Sequence, residues 1–268
     1  MKIAAYQAPL FENGSLAAFE LLRTQVAVCE EAGVEILCFP ETVLGGLADC
    51  YDRPSAYALN AGNGQLRKFL APLTSRSVST IVGFTETTDA GTLYNSAAIF
   101  HQGEVLGLYR KVYPAENHSV YEAGTELPTF TIGSLTFGVV ICNDTNYYEP
   151  ARVMASRGAT VLFIPTNNAL PAGRADVVSR ARSMQIARAV ENGLTVVSAD
   201  VAGNRGSFAS HGSSNIIDPN GVVVASSRPF VEDLLIADID PEVDRIRRGW
   251  NSSKNPAIVS AFLSECYA

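Results

Sequence analysis

The sequence predicts an α/β protein built on a mixed β-sheet, or two, with helices outside. Three observations predict it. Buried-strand signals, short apolar runs rich in β-branched residues, alternate with segments whose apolar residues recur at steps of three and four. Glycine turns join several of the strand runs into hairpins. No composition shift, Ser/Gly linker or internal repeat divides the 268 residues, a length ordinary for one layered domain, so a single domain over 1–268 is expected.

Residues 3–7 read as a first strand. Residues 15–31 read as a helix, with Phe19, Leu22, Val26 and Cys29 on one face and Gly33 as its stop. Residues 36–39 form a buried strand ended by Pro40, 64–76 a helix carried by Leu66, Phe69, Leu70 and Leu73, and 80–84 another strand. Hairpins follow at 93–101/104–109 around Gln102 and Gly103, and at 130–132/135–141 around Gly133 and Ser134. Then come a helix at 149–157, a strand at 160–164, a helix at 176–191 stopped by Asn192 and Gly193, a strand at 195–199, a hairpin at 216–224 and a last strand at 234–239. The polar, glycine-rich stretch 203–212 reads as a loop, and the tail from Trp250 as irregular chain that packs on a partner subunit.

Hydrophobic content of 47% and charged content of 18% are globular values. A net charge of −7 argues against a nucleic-acid partner held by phosphate neutralisation. Five cysteines with no CxxC pair or Cys/His cluster argue against a disulfide framework or metal site. The N-terminus lacks a charged region followed by a long apolar stretch, and no apolar run reaches bilayer length. A cytoplasmic protein with reduced thiols and no membrane partner is expected.

Three polar groups stand at or just past the ends of apolar strands: Glu41 after Pro40, Lys111 after Arg110, and Cys142 after Ile141. Catalytic groups on α/β sheets sit at such edges. A thiol is only a few per cent ionised at neutral pH and needs a base or a nearby cation. Glu41 can take its proton and pass it to a leaving amine. Lys111 can lower the thiol pKa and stabilise an oxyanion, and the Asn143 backbone N–H is a second oxyanion donor. Together these describe acyl transfer through a thioester. Each has a plainer reading: a buried structural thiol, a helix N-terminal charge for Glu41, a solvated strand-end charge for Lys111.

These residues resemble the Glu-Lys-Cys triad of the nitrilase superfamily, the carbon–nitrogen hydrolases. The likeness rests on Cys-Phe-Pro-Glu-Thr at 38–42, Tyr-Arg-Lys-Val-Tyr-Pro at 109–114 and Val-Ile-Cys-Asn-Asp at 140–144. It extends to Tyr148–Arg152 with 157–159, to 188–193 with Val196 and Val197, and to 214–221, and so covers nearly the whole chain. The resemblance implies a four-layer αββα sandwich of two mixed β-sheets with helices on the outside. It also implies no cofactor and assembly into a homodimer or larger homo-oligomer. Carried over by position, Glu41 is base and acid, Lys111 the oxyanion stabiliser and Cys142 the nucleophile. Many members carry a further glutamate between lysine and cysteine; Glu116 is the candidate here, with Glu122 and Glu126 as rivals. This chain has Ala123 where the family commonly has proline.

Thr145, Asn146, Asn167 and Asn168 place hydroxyls and amides near the expected pocket rim, as for a polar substrate, although such residues also simply make turns. Arg174, in the following loop, is a candidate for binding a carboxylate. The expected activity is hydrolysis of a small carboxamide or N-carbamoyl compound, releasing ammonia or an amine. Three alternatives stand beside it: nitrile hydrolysis, a non-catalytic binding or assembly protein on the same fold, and a Cys-His hydrolase using His118.

Overall fold

The computed structural model describes residues 1–268 except 13, 51, 116, 169, 172, 174–175, 207, 241–254 and 267–268. Strands β1 (Lys2–Pro9), β2 (Ile36–Cys38), β3 (Leu59–Asn60), β4 (Ser79–Thr87), β5 (Leu93–His101) and β6 (Glu104–Arg110) belong to one sheet. It is completed by β10 (Leu170–Pro171), β12 (Val201–Arg205), β13 (Phe208–His211) and β16 (Asp233–Asp238). The second sheet holds β7 (Thr129–Ile132), β8 (Leu135–Val139), β9 (Val161–Pro165), β11 (Thr195–Ala199), β14 (Asn215–Ile217) and β15 (Val223–Ser226). Both are mixed: β1, β2 and β4 run parallel while β4, β5 and β6 are antiparallel, and β8, β9 and β11 run parallel between the antiparallel β7 and β14.

The side-chain period of two sorts the first sheet into two faces. Ile3, Ala5, Ile36, Cys38, Ile81, Ala97 and Ile99 share one core with Phe137, Val139, Phe163 and Val196 of the second sheet. Their alternates Ala4, Tyr6, Leu37, Val82, Ala98 and Phe100 pack with Leu22, Val26 and Cys29 of α1 (Leu16–Ala32) and Leu66 and Leu70 of α2 (Gln65–Leu70). On the second sheet, Ala151 and Met154 of α3 (Glu149–Ser156) and Ala189 of α4 (Asp176–Asn192) close the outer layer. Each fully buried leucine, isoleucine or phenylalanine contributes about 1.5–3 kcal/mol. The result is the layered αββα sandwich.

Local signals set many boundaries. Ser15 caps α1 by accepting from the Ala17 N–H, and Gly33 ends it at φ 72°. The helix expected over 64–76 is α2 followed by a 3₁₀ turn at Ala71–Leu73, because Pro72 lacks the N–H that an α-helix needs. Of the stretch read as a loop, 203–212, residues 203–205 and 208–211 instead form strands of the antiparallel hairpin β12–β13. It is polar and carries positive-φ glycines at 203, 206 and 212, which is why it has no strand signature. In the tail, Trp250 lies outside the described residues, while Pro256–Cys266 is a helix, α5, where irregular chain was expected. Among the described residues, no helix is long and apolar enough to cross a membrane.

Candidate active site

The carboxyl ends of β2, β6, β8, β9 and β11 lead into one region, and the polar residues that follow them meet there. Glu41 sits in the turn after β2, Lys111 immediately after β6, and Cys142 opens a 3₁₀ turn at Cys142–Asn146 beyond β8. Glu41, Lys111 and Cys142 all line a cavity of about 580 Å³.

Lys111 Nζ donates to Glu41 Oε1 at 2.6 Å, and both side chains are almost wholly buried. Asn95 Nδ2, on β5, donates to the same oxygen at 2.7 Å. The Glu41 N–H reaches the Thr166 carbonyl, and the Asn167 amide donates to the Glu41 carbonyl at 3.4 Å. Gly83 lets this turn lie against β4: a Cβ there would come within 2.3 Å of the Pro40 carbonyl oxygen and 2.8 Å of Glu41 Cα.

Cys142 has φ 44°, in the left-handed region that non-glycine residues seldom adopt. Asp144 holds the turn. Its carboxylate accepts from the Ile141 N–H at 2.9 Å, the Tyr113 N–H at 2.8 Å and the Tyr109 hydroxyl at 2.7 Å. Burial pushes the Asp144 carboxyl up to about 6, against the pull of Lys111 and these donors. Cys142 Sγ lies 4.0 Å from Asn168 Oδ1.

The charges around the thiol do not balance as the sequence implied. Burial, reinforced by the Glu41 carboxylate, pushes the Cys142 thiol well above the ordinary thiol range; Lys111 and a backbone N–H of Asn167 pull the other way and lose. Lys111 does favour the thiolate, as expected, but it does not offset burial and Glu41. Lys111 itself is pulled down by burial, but Glu41, Cys142 and Asp144 outweigh that and hold its ammonium above the usual lysine range. At rest the site holds a carboxylate–ammonium pair beside a neutral thiol.

Of the expected rim residues, Asn143, Thr145, Asn146, Asn167 and Asn168 all line the cavity. Glu116 and Arg174 lie outside the described residues. Glu122 and Glu126 are exposed and do not line the cavity. His118 lines an adjoining depression that shares Asp49, Cys50 and Ala115 with the cavity, His101 pairs with Ser79 at 2.7 Å, and His211 packs against Phe230. Among the described residues no three His, Cys, Asp or Glu side chains gather as a metal site.

Sequence reasoning missed Asn95, Asp200, Arg180 and Gln185. Asn95, Arg180 and Gln185 line the cavity. Asp200 is fully buried and follows the apolar strand β11, the same strand-end signal that singled out the other three, so it could have been found.

Residues 2–248 match the carbon-nitrogen hydrolase family. The chain belongs to that family. Among its relatives, a glutamine-dependent NAD(+) synthetase of Thermotoga maritima is 29% identical over 86% of this chain, which spans only 40% of the synthetase. An (R)-stereoselective amidase of a Pseudomonas species is 28% identical over 89% of this chain and 85% of the amidase. The crystal structure of a carbon-nitrogen hydrolase from Helicobacter pylori G27 superposes with a TM-score of 0.84 at 20% identity, covering 100% of this chain and 98% of that one, a likeness of fold.

Proposed function

We propose that this chain hydrolyses a small carboxamide or N-carbamoyl compound through a thioester on Cys142. The observation that carries the reading is the buried Glu41–Lys111 pair opening into the same cavity as Cys142. Glu41 takes the thiol proton as Sγ adds to the substrate carbonyl carbon. The oxyanion faces the Lys111 ammonium and the Asn143 N–H. Collapse breaks the C–N bond, and the proton held by Glu41 goes to the departing nitrogen. Glu41 then deprotonates a water that adds to the thioester, and the expelled thiolate recovers that proton.

A neutral resting thiol fits this sequence, because the base is engaged at the moment of attack. The amide-rich lining, with Asn95, Asn143, Asn167, Asn168 and Gln185, suits a polar substrate, and the volume suits a small molecule. The amidase relative points the same way, as does the glutamine-dependent one, glutamine being itself a carboxamide. His118 does not itself line the cavity that holds Cys142, which speaks against a Cys-His dyad.

Ammonia release from a panel of amides, ureas and nitriles tests the reading. Turnover of an amide should exceed that of its matching nitrile, and Cys142→Ala should abolish it in folded protein. Full activity in Cys142→Ala sinks the proposal.

A further inference from the structure

Asn168 follows β9 and is buried, and its side-chain amide is fully committed on one side. Nδ2 donates to Asp200 Oδ2 at 3.1 Å and to Ser213 Oγ at 3.1 Å, while its backbone N–H donates to Asp200 Oδ1 at 3.0 Å. The Ser213 hydroxyl spends its own proton on Asp200 Oδ2 at 2.6 Å, so towards Asn168 it can only accept. Asp200 also receives the Val201 N–H at 2.8 Å, so donors face both of its oxygens. Flipping the Asn168 amide would set its oxygen against the Asp200 carboxylate and a lone pair of Ser213. The carbonyl oxygen is thus turned into the cavity, where it stands 4.0 Å from Cys142 Sγ.

We propose that Asp200 and Ser213 lock Asn168 with its carbonyl oxygen towards the nucleophile, making the site selective for leaving groups that carry an N–H. This rests on the amidase reading and deepens it. At rest the donor that meets Oδ1, among the described residues, is the weak S–H. Once sulfur bonds to the acyl carbon that proton is gone, and a nitrogen on the same carbon can supply the hydrogen bond. A carboxamide or an N-carbamoyl group offers such an N–H; an ester oxygen and a nitrile nitrogen offer lone pairs instead. A site built to hydrogen-bond a substrate group discriminates strongly against analogues lacking it, because its own buried group is left unpaired. Asn95 reinforces the point: its Oδ1 is buried and has no partner among the described residues, a second acceptor beside the cavity. Asn168 is the specificity-determining residue, and Asp200 and Ser213 are positioning residues that act through it.

The test compares kcat/KM for the best primary amide of the panel with that for the methyl ester of the same acid. Asn168→Ala should lower the amide value by about 10- to 100-fold and change the ester value by less than about threefold. Asp200→Asn, which puts a donor where only acceptors stood, should lower the same amide-to-ester ratio by a smaller factor. Ester turnover reports that fold and nucleophile survive; if Asn168→Ala does not fold, Asn168→Ser takes its place. A ratio within about threefold of wild type in both variants, or amide and ester falling in parallel, overturns the inference. Failure of the amidase reading is visible separately, in wild-type protein that turns over neither substrate, and the inference falls with it.

Discussion

Replacing Glu41 by glutamine should make Cys142 more acidic while destroying catalysis. The glutamine keeps the side-chain shape and an oxygen for the Lys111 and Asn95 donors, which now reach Glu41 Oε1 at 2.6 and 2.7 Å. What the change removes is the negative charge that, after burial, does most to hold the Cys142 proton on. Two like unit charges within a few ångströms of each other at an effective dielectric constant of about 20 repel by a few kcal/mol, so the loss of one is large enough to measure. The sign follows from which form the charge opposes: a carboxylate disfavours the thiolate, so its loss lowers the thiol pKa. The ultraviolet thiolate absorbance of each protein, minus that of its Cys142→Ser counterpart, isolates this one sulfur from the other cysteines. Wild type should titrate above the ordinary thiol value of about 8.5, and Glu41→Gln measurably lower than wild type. Amide turnover should fall by about 10²- to 10⁴-fold for want of a general base. An inflection that stays put or rises in the variant, or a wild-type inflection at or below the ordinary value, refutes the reasoning.

Two further outcomes follow from the packing around Glu41. Lys111→Met strands the buried Glu41 carboxylate and should cost about 3–5 kcal/mol in urea unfolding; adding Glu41→Gln should recover much of that loss, and strictly additive losses would contradict the pairing. Gly83→Ala forces the Glu41 turn off β4, and should lower kcat by about 100-fold and stability by about 1–3 kcal/mol. Wild-type kinetics in Gly83→Ala would mean that β4 does not hold the base in place.

The parts of the fold legible in the sequence are those fixed by near neighbours. Ser15 and Gly33 bracket α1, and the Gln102–Gly103 and Gly133–Ser134 turns mark their hairpins, because caps and turns are local chemistry. The β12–β13 hairpin escapes such a reading because it is polar and broken by glycine. It forms through pairing with distant β1 and β10, not through its own propensity. In the site, Glu41, Lys111 and Cys142 are legible as polar groups interrupting the chain just after buried strands. Asn95 is not, since an amide inside strand β5 leaves no punctuation. The contacts joining Asn168 to Asp200 and Ser213 span tens of residues, and nothing local announces them. The sign of the thiol shift is hidden for a related reason: it depends on whether burial and Glu41 outweigh Lys111, a matter of depth and proximity.

In the proposed cycle, a neutral thiol also lets so buried a site work without repeated solvation of charge. At rest, of Glu41, Lys111 and Cys142, Glu41 carries a negative charge and Lys111 a positive one. In the proposed cycle the thiol proton moves to Glu41 as sulfur attacks, so the negative charge passes to the substrate oxygen, still beside the same ammonium. The number of charges never changes; only the position of the negative one does. Starting from a preformed thiolate beside ionised Glu41 would add a second buried anion, which burial in low dielectric opposes. Local backbone strain sits where this exchange must be guided: Thr42, next to the base, and Cys142 itself are both non-glycine residues at φ near 40°, each conformation costing about 1–3 kcal/mol. The hydrogen bonds that Asp144 accepts from Ile141, Tyr113 and Tyr109 hold the nucleophile's turn against that cost. In the proposed cycle, this rigidity keeps Glu41, Lys111 and Cys142 around one negative charge as it moves.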